Sequence, residues 1–402
     1  MENTMSIEKE LTETTRLKIG YIGIGNAGSQ TGIKMVNNMP TFIVNTSFKD
    51  LRNEIIPANV QSYLIEDPEG KGRGAGGSRD IAKSLFSESG ILTETTFREY
   101  VESKEVIIVG ASSAGGTGSG ILPTMIYSLK EMYPNKTIIG LVIIPRESES
   151  TNCQYNTAEC TDELRNLEVP YIMYDLNKGS KSNDEVFEEI GKQIADDISL
   201  YTGSMASITE HGMIDERDLL TTISYPGLTV ISKKNNIDLD KLKEGGIQRL
   251  IIDNIKSSYM VPPQKDKISQ YFALYIEVPE ELEDDIKKSD FTLLEETFGK
   301  PWRIFLNYSV VEKSTAAFGF IASGLSFPID RLNECMSIVK DFSAKRKSRE
   351  YSQSDDIDEM AHLAAASMDN YDKLVGNANA APAKPVSEVK KVPDFLKSRT
   401  KR

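Results

Sequence analysis

The chain has little of what builds disulfide frameworks, zinc centres or membrane spans. Its 402 residues include three cysteines, Cys153, Cys160 and Cys335, with no CxxC pair. That argues against a disulfide scaffold and a structural zinc site. Two histidines, His211 and His362, are too few for a histidine-rich metal centre. No protein ligand set for a metal is therefore assigned. No apolar run reaches about 18 residues, so membrane insertion is not expected. The opening stretch MENTMSIEKELTETTR is polar and does not read as a signal peptide. Positive charge is also in short supply, with 47 Lys and Arg against 60 Asp and Glu and a net charge of -13. An acidic body is not expected to bind DNA directly. Together these absences imply a cytoplasmic protein.

What is present is an ordinary globular composition, 39% hydrophobic and 27% charged. The length suggests two or three domains. LKIGYIGIG (17–25) reads as a buried strand entering a glycine turn, followed by a helix over 27–38. TFIVN (41–45), VIIVGAS (106–112) and TIIGLVII (137–144) are further apolar strands. Val- and Ile-rich runs alternating with helix-like segments predict a parallel sheet covered on both faces. NDEVFEEIGKQIADDISLY (183–201) predicts a long helix, with Val186, Ile190, Ile194 and Ile198 as its buried stripe. YFALYIEVP (271–279), WRIFLNYSVV (302–311) and AAFGFIASGLSF (316–327) then predict a second, more antiparallel domain. Residues 329–351 return to helix, and DDIDEMAHLAAASMDNYDKL can form one more. NANAAPAKPVSEVKK has a disordered composition, and the chain ends in VPDFLKSRTKR.

Three small-residue loops point to a phosphate ligand. GIGNAG (23–28) follows a strand, but alone it is a weak dinucleotide signal. The dinucleotide reading also wants a carboxylate at the end of the second strand. Here the chain reads Asn45-Thr46-Ser47 instead. KGRGAGGSRD (71–80) can turn backbone N–H groups toward an anion, or be a flexible surface turn. In the third loop, Ala114 to Gly120, five of seven residues are glycine or alanine, between a strand and a helix expected near Gly120–Ile121. Glycines allow close approach, and a helix N-terminus favours an anion. Thr117 and Ser119 add hydroxyl donors, while the absence of a GK[ST] ending excludes a Walker A loop.

AGGTGSG (114–120) resembles the GGGTG[ST]G signature of the tubulin/FtsZ superfamily, with Ala114 at its first glycine. GNAGSQTG (25–32), VNTS (44–47), GRGAGGS (72–78) and IIPRESE (143–149) resemble its other nucleotide loops in order. NDEV (183–186) resembles the start of its central helix, and the resemblance runs over about 16–330. It implies an α/β fold with a Rossmann-like parallel-sheet GTPase domain (16–180), a central helix (181–202) and a second α+β domain (203–328). An N-terminal extension (1–15), C-terminal helices (329–375) and a basic tail (376–402) flank them. The ligands implied are GTP or GDP with Mg2+. The resemblance places Gly25, Asn26, Ala27, Gln30, Asn45, Gly74, Ala75, Gly76 and Gly77 around the nucleotide. It places Ala114, Gly115, Gly116, Thr117, Gly118 and Ser119 there too. Glu149 matches the ribose-contacting acid, while Cys153 stands where FtsZ often has an arginine. Asp184, with Asn183 beside it, would select guanine by accepting hydrogen bonds from its N1 and N2. The same pair is also an ordinary helix N-cap.

HGMIDERDLLTTISYPG (211–227) follows the central helix. Asp215, Glu216 and Asp218 can be a solvated acidic turn. The resemblance gives Asp215 and Asp218 the catalytic acids that act on a neighbouring subunit's nucleotide, with Met213 in place of an asparagine and Glu216 a conceivable substitute. It therefore implies head-to-tail filaments whose assembly switches on hydrolysis. KVPDFLKSRTKR resembles the C-terminal peptide of FtsZ, while the helix at 329–351 resembles TubZ, the segregation tubulin of plasmids and phages. The TubZ-like reading is a segregation GTPase whose tail (Pro393, Phe395, Leu396 and basic residues) binds a DNA-binding adaptor. The alternative is a division GTPase of FtsZ type whose tail docks a membrane adaptor. Assembly without turnover and a merely solubilising tail are the other readings the sequence allows.

Overall fold

The computed structural model describes residues 17–51, 56–178, 183–204, 208–209, 212–264, 266–282, 290–311 and 315–348. The N-terminal extension, the helix candidate after Ser352 and the tail with Pro393, Phe395 and Leu396 lie outside them. The first half runs β1 (Ile19–Ile24), α1 (Gly25–Met35), β2 (Thr41–Asn45), β3 (Gln61–Leu64), α2 (Arg79–Glu88) and α3 (Thr95–Glu102). It continues with β4 (Val106–Ser112), α4 (Gly116–Met132), β5 (Thr137–Ile144), α5 (Thr151–Arg165) and β6 (Pro170–Asp175). The central helix α6 (Asn183–Ser199) ends in a wider π turn, Leu200–Ser204. A hairpin of β7 (Ile208–Thr209) and β8 (Gly212–Met213) then leads to α7 (Glu216–Ser224). The second half is β9 (Gly227–Asp238), α8 (Leu239–Ser257), β10 (Tyr271–Val278), α9 (Thr292–Phe298), β11 (Arg303–Val310), β12 (Thr315–Leu325) and α10 (Ile329–Ser348).

The strands form one ten-stranded sheet in the order β11-β10-β12-β9-β6-β5-β4-β1-β2-β3. From β6 to β3 every pairing is parallel. Strands β1 and β6 are buried throughout, and β4 and β5 at all but one end residue, because helices cover both faces. In the second half β12 lies antiparallel between β10 and β9, but β10 and β11 pair parallel. The two halves join through a short pairing, Pro170 with Gly227 and Tyr171 with Leu228. Among the described residues no helix is long and apolar enough to cross a membrane.

Helix α6 buries Val186, Ile190, Ile194 and Ile198 as its stripe. It runs alongside α1 in the same direction: Lys34 pairs with Glu188, and Asn38 Nδ2 donates to the Ala195 carbonyl at 2.9 Å. The start of α6 therefore lies at the end of the molecule where β1 turns into α1. On its inner face Asp197 is buried and accepts hydrogen bonds from the Tyr174 hydroxyl (3.0 Å) and Gln193 Nε2 (3.1 Å). Burial pushes its carboxyl up to about 7.

Helix α4 begins at Gly116, earlier than the expected start near Gly120–Ile121. The glycine run is its first turn, and the Ser119 hydroxyl closes that turn on the Gly115 carbonyl. Pro123 sits inside the same helix and has no N–H to offer the Ser119 carbonyl. The buried Arg79 guanidinium donates to that carbonyl instead, at 3.2 Å, and Glu163 holds the same Nη2 at 2.6 Å.

Candidate active site

The site is built at the C-terminal ends of the parallel strands, where each strand gives way to a loop or directly to a helix. β1 passes straight into α1, so Gly25, Asn26 and Ala27 form the helix's first turn. Gly25 is buried against Thr117 and Gly118, while Asn26 and Gln30 are exposed and bonded to each other at 3.1 Å. After β2, the Asn45 side chain shapes the next turn. Its Oδ1 accepts from Ser47 N at 3.1 Å, and its Nδ2 donates to Asp50 at 3.2 Å. The Thr46 and Thr117 hydroxyls meet at 2.7 Å, which ties this loop to the first turn of α4.

The loop 71–80 is docked on the same place. Gly74 N donates to the Thr46 carbonyl at 2.9 Å, and Phe48 N to the Gly72 carbonyl at 2.8 Å. Arg73 is engaged by Asp67 at 2.7 Å, and its hydrogen bond is the main reason the Asp67 carboxyl titrates below its ordinary range. Ala75 is buried, whereas Gly76 and Gly77 are exposed. Ser78 caps α2 by accepting from Ile81 N.

Two asparagines not singled out from the sequence hold the two glycine loops together. Asn156 Nδ2 donates to the Gly77 carbonyl (3.1 Å) and the Ala114 carbonyl (2.8 Å). Asn152 Nδ2 donates to the Gly77 carbonyl at 3.2 Å. Gly116 is pressed against the other loop: a Cβ there would lie 2.7 Å from Gly77 C and Ser78 N. At Gly76 and Gly115, by contrast, a Cβ would meet nothing within 4 Å. These two residues border open space, lined by the backbone of two loops and the N-terminal turns of α1 and α4. That arrangement fits a polyphosphate. No signal separates asparagines on a helix from ordinary polar residues, which is why this bracing escaped sequence reasoning.

Next to the cradle, the loop after β5 folds on itself. Glu149 Oε1 accepts from Arg146 N at 3.0 Å, and Arg146 Nε donates to the Leu176 carbonyl at 3.2 Å. Ser150 caps α5 by accepting from Cys153 N. Asn183 opens α6, and the side chains of Asn183 and Asp184 lie outside the described set. The loop is anchored from behind by α10. Arg331, largely buried, donates to Asp175 (2.8 Å) and to the carbonyl of Pro145 (2.7 Å).

The acids lie elsewhere. Asp215 caps α7 in a reciprocal box: its Oδ1 accepts from Asp218 N at 2.7 Å, and Asp218 Oδ2 accepts from Asp215 N at 3.5 Å. Asp215 is exposed, Glu216 and Asp218 half-exposed. They follow the far end of α6, whose 17 residues span about 25 Å. The cradle and the carboxylates thus sit at opposite ends of the central helix. Among the described residues no group of three His, Cys, Asp or Glu side chains could hold a metal ion.

A parallel-sheet domain with glycine loops and helix N-termini gathered at one edge, joined by a central helix to a second domain, defines a nucleotide-binding fold. Residues 18–183 match the Tubulin/FtsZ family, GTPase domain. That match covers the parallel-sheet half of the chain, and the described fold as a whole is the tubulin/FtsZ fold seen in TubZ and FtsZ structures. The tubulin-like protein TubZ of Clostridium botulinum C phage is 26% identical over 251 residues, 60% of this chain and 64% of TubZ. Cell division protein FtsZ of Helicobacter pylori (strain J99) is 28% identical over 254 residues, 59% of this chain and 63% of FtsZ. The chain thus spans a little under two thirds of both relatives. A solved GTPγS-form protofilament of TubZ from Bacillus thuringiensis serovar israelensis has the same fold, with TM-score 0.65 and 15% identity, covering 84% of this chain and 95% of that one.

Proposed function

We propose that this protein is a GTP-hydrolysing cytoskeletal protein of the cytoplasm that polymerises head to tail, with each active site shared between two subunits. The observation that carries this reading is the separation of cradle and carboxylates by the length of α6. Within one chain Asp215 and Asp218 do not reach a nucleotide held by Gly76 and Gly115. Placed against the cradle of a second copy, they complete it. Such a heterologous contact does not close on itself and yields an open filament.

In this reading residues 16–180 hold the nucleotide, 181–202 connect, and 203–328 supply the acids to the next subunit. The backbone at 74–77 and 114–119, with Gly25, Asn26, Ala27, Gln30 and Asn45, surrounds the phosphates. Thr46 and Thr117 stand where hydroxyls can meet the terminal phosphate or its ion. Mg2+ would be held mainly through phosphate oxygens, where it neutralises charge developing on them. Glu149 meets the ribose, and Asn183 and Asp184 meet guanine. Asp215 or Asp218, with Glu216 nearby, orients the attacking water.

The cellular task we assign is segregation of plasmid or phage DNA through an adaptor bound by Pro393, Phe395, Leu396 and the basic residues around them. The resemblance to phage TubZ and the long α10 favour it. The similarity to FtsZ keeps a division role as the second reading. Asp218→Ala should bind GTP and assemble into filaments that do not turn over. Phosphate release at the parent rate from that variant would remove Asp218 from catalysis.

A further inference from the structure

Trp302 is the sole tryptophan of the chain and is 81% exposed. Exposure of that size on the largest side chain is unusual, and it is not isolated. Ile268, 58% exposed, lies on the neighbouring loop. The two loops are pinned together: Trp302 N donates to the Gln270 carbonyl at 2.8 Å, and Ser269 Oγ to the Gly299 carbonyl at 2.8 Å. Beside them runs a row of rings. Tyr225 packs edge-on against Tyr271 at 5.7 Å, Tyr271 stacks on Phe305 at 6.1 Å, and Arg303 covers Phe305 at 4.5 Å. The two loops that carry Trp302 and Ile268 are therefore held to each other, which favours a preformed anchor.

Its position links it to the acids. Tyr225 closes the nine-residue helix α7 that Asp215 caps, so the two lie about 15 Å apart along it. The hairpin β7–β8 that delivers Asp215 packs on β11, the strand that Trp302 precedes. The cradle end carries exposed apolar side chains of its own. Phe48, 59% exposed, is tied to Gly72, and Ile81, 51% exposed, lies in the first turn of α2. Lys300 and Arg303 are exposed beside Trp302 and Asp80 beside Ile81, so charge favours the pairing on the Ile81 side, while Lys49 is exposed beside Phe48.

We infer that Trp302 and Ile268, with the ring row behind them, form the apolar anchor by which one copy of this chain docks on the cradle end of the next, against Phe48 and Ile81. This inference rests on the head-to-tail reading, and its test is chosen to separate the two. Full-length protein with GTPγS and Mg2+ is taken through a concentration series, with sedimentation and tryptophan emission read on the same samples. Emission should be that of a solvent-exposed indole below the assembly threshold and shift to shorter wavelength as protein pellets. Trp302→Ser should raise the threshold at least about tenfold and leave affinity for a fluorescent GDP unchanged. Because the side chain is exposed, the variant is expected to fold. Pelleting without a change in emission overturns the anchor while leaving the filament reading intact. Emission that shifts in unassembled protein when 376–402 are removed makes the chain's own tail the occupant, and overturns the inference. Absence of pelleting at every concentration removes the filament reading and the anchor with it.

Discussion

The Arg331→Met substitution examines how the second half of the chain supports the nucleotide loops. Arg331 projects from α10 into the first domain. There it donates to Asp175 at 2.8 Å, to the Pro145 carbonyl at 2.7 Å, and to Cys335 Sγ at 3.4 Å. Its side chain is 10% exposed and that of Asp175 is 9% exposed. Methionine matches the length and fills the space. It leaves a buried carboxylate that accepts from Asn177 N at 2.9 Å but has lost its guanidinium. Removing one member of a buried ion pair costs about 3–5 kcal/mol, a large share of ordinary domain stability. Asp175→Asn in the same background should recover a substantial part of that loss, giving a coupling energy on the order of 1–3 kcal/mol. There is a local effect as well. Pro145 opens the loop that carries Glu149, so loss of its carbonyl's donor should loosen that loop. Urea unfolding of the four proteins of the cycle gives the coupling, and fluorescent GDP binding gives the local effect. A destabilisation below about 1 kcal/mol, or additive single substitutions, would refute the account of Arg331 as the anchor.

Gly116→Ala should weaken GDP binding about fivefold to a hundredfold, because its Cβ meets backbone of the opposite loop at 2.7 Å and overpacking costs roughly 1–3 kcal/mol. Gly115→Ala should leave urea stability unchanged, since nothing lies within 4 Å, yet also weaken GDP; unchanged affinity there would place the phosphates elsewhere. Asp197→Asn should change the pH dependence of stability. The folded carboxyl, pushed up to about 7 by burial, keeps a proton that the unfolded chain sheds near 3.8, so stability falls as pH rises from about 4 through about 7. The ceiling of that loss is roughly 4 kcal/mol. The variant should match the parent near pH 4 and exceed it at pH 8, and a pH-independent difference would contradict the buried acid. Deleting 392–402 should leave assembly and GTP turnover intact and abolish binding of the adaptor; loss of assembly would sink this division of labour.

Much of the first domain was legible because its strands are buried on both faces and read as Val- and Ile-rich runs. The stripe of α6 was legible because Val186, Ile190, Ile194 and Ile198 recur at helical spacing. The loops 23–28 and 114–120 were legible because each follows an apolar run, whereas 71–80 follows the polar stretch QSYLIEDPEG. Other features depend on partners far away in the chain. The join of β6 to β9 rests on two residue pairs that no local pattern announces. α4 takes the glycine run as its first turn only because Gly77 and Ser78 lie against it. Helix α8 contains Gly246 in a non-helical conformation, which interrupts its periodicity. Asn156 and Arg331 are ordinary polar residues until the fold brings carbonyls 80 or more residues away, or nearly so, to their side chains.

The central claim is a GTPase site shared between subunits. Phosphate release from GTP and Mg2+ should be followed across a protein concentration series, with light scattering alongside. The account predicts turnover per molecule that appears only above a threshold concentration, together with scattering. Turnover per molecule independent of concentration, without scattering, would show that one chain carries a complete site and would contradict it.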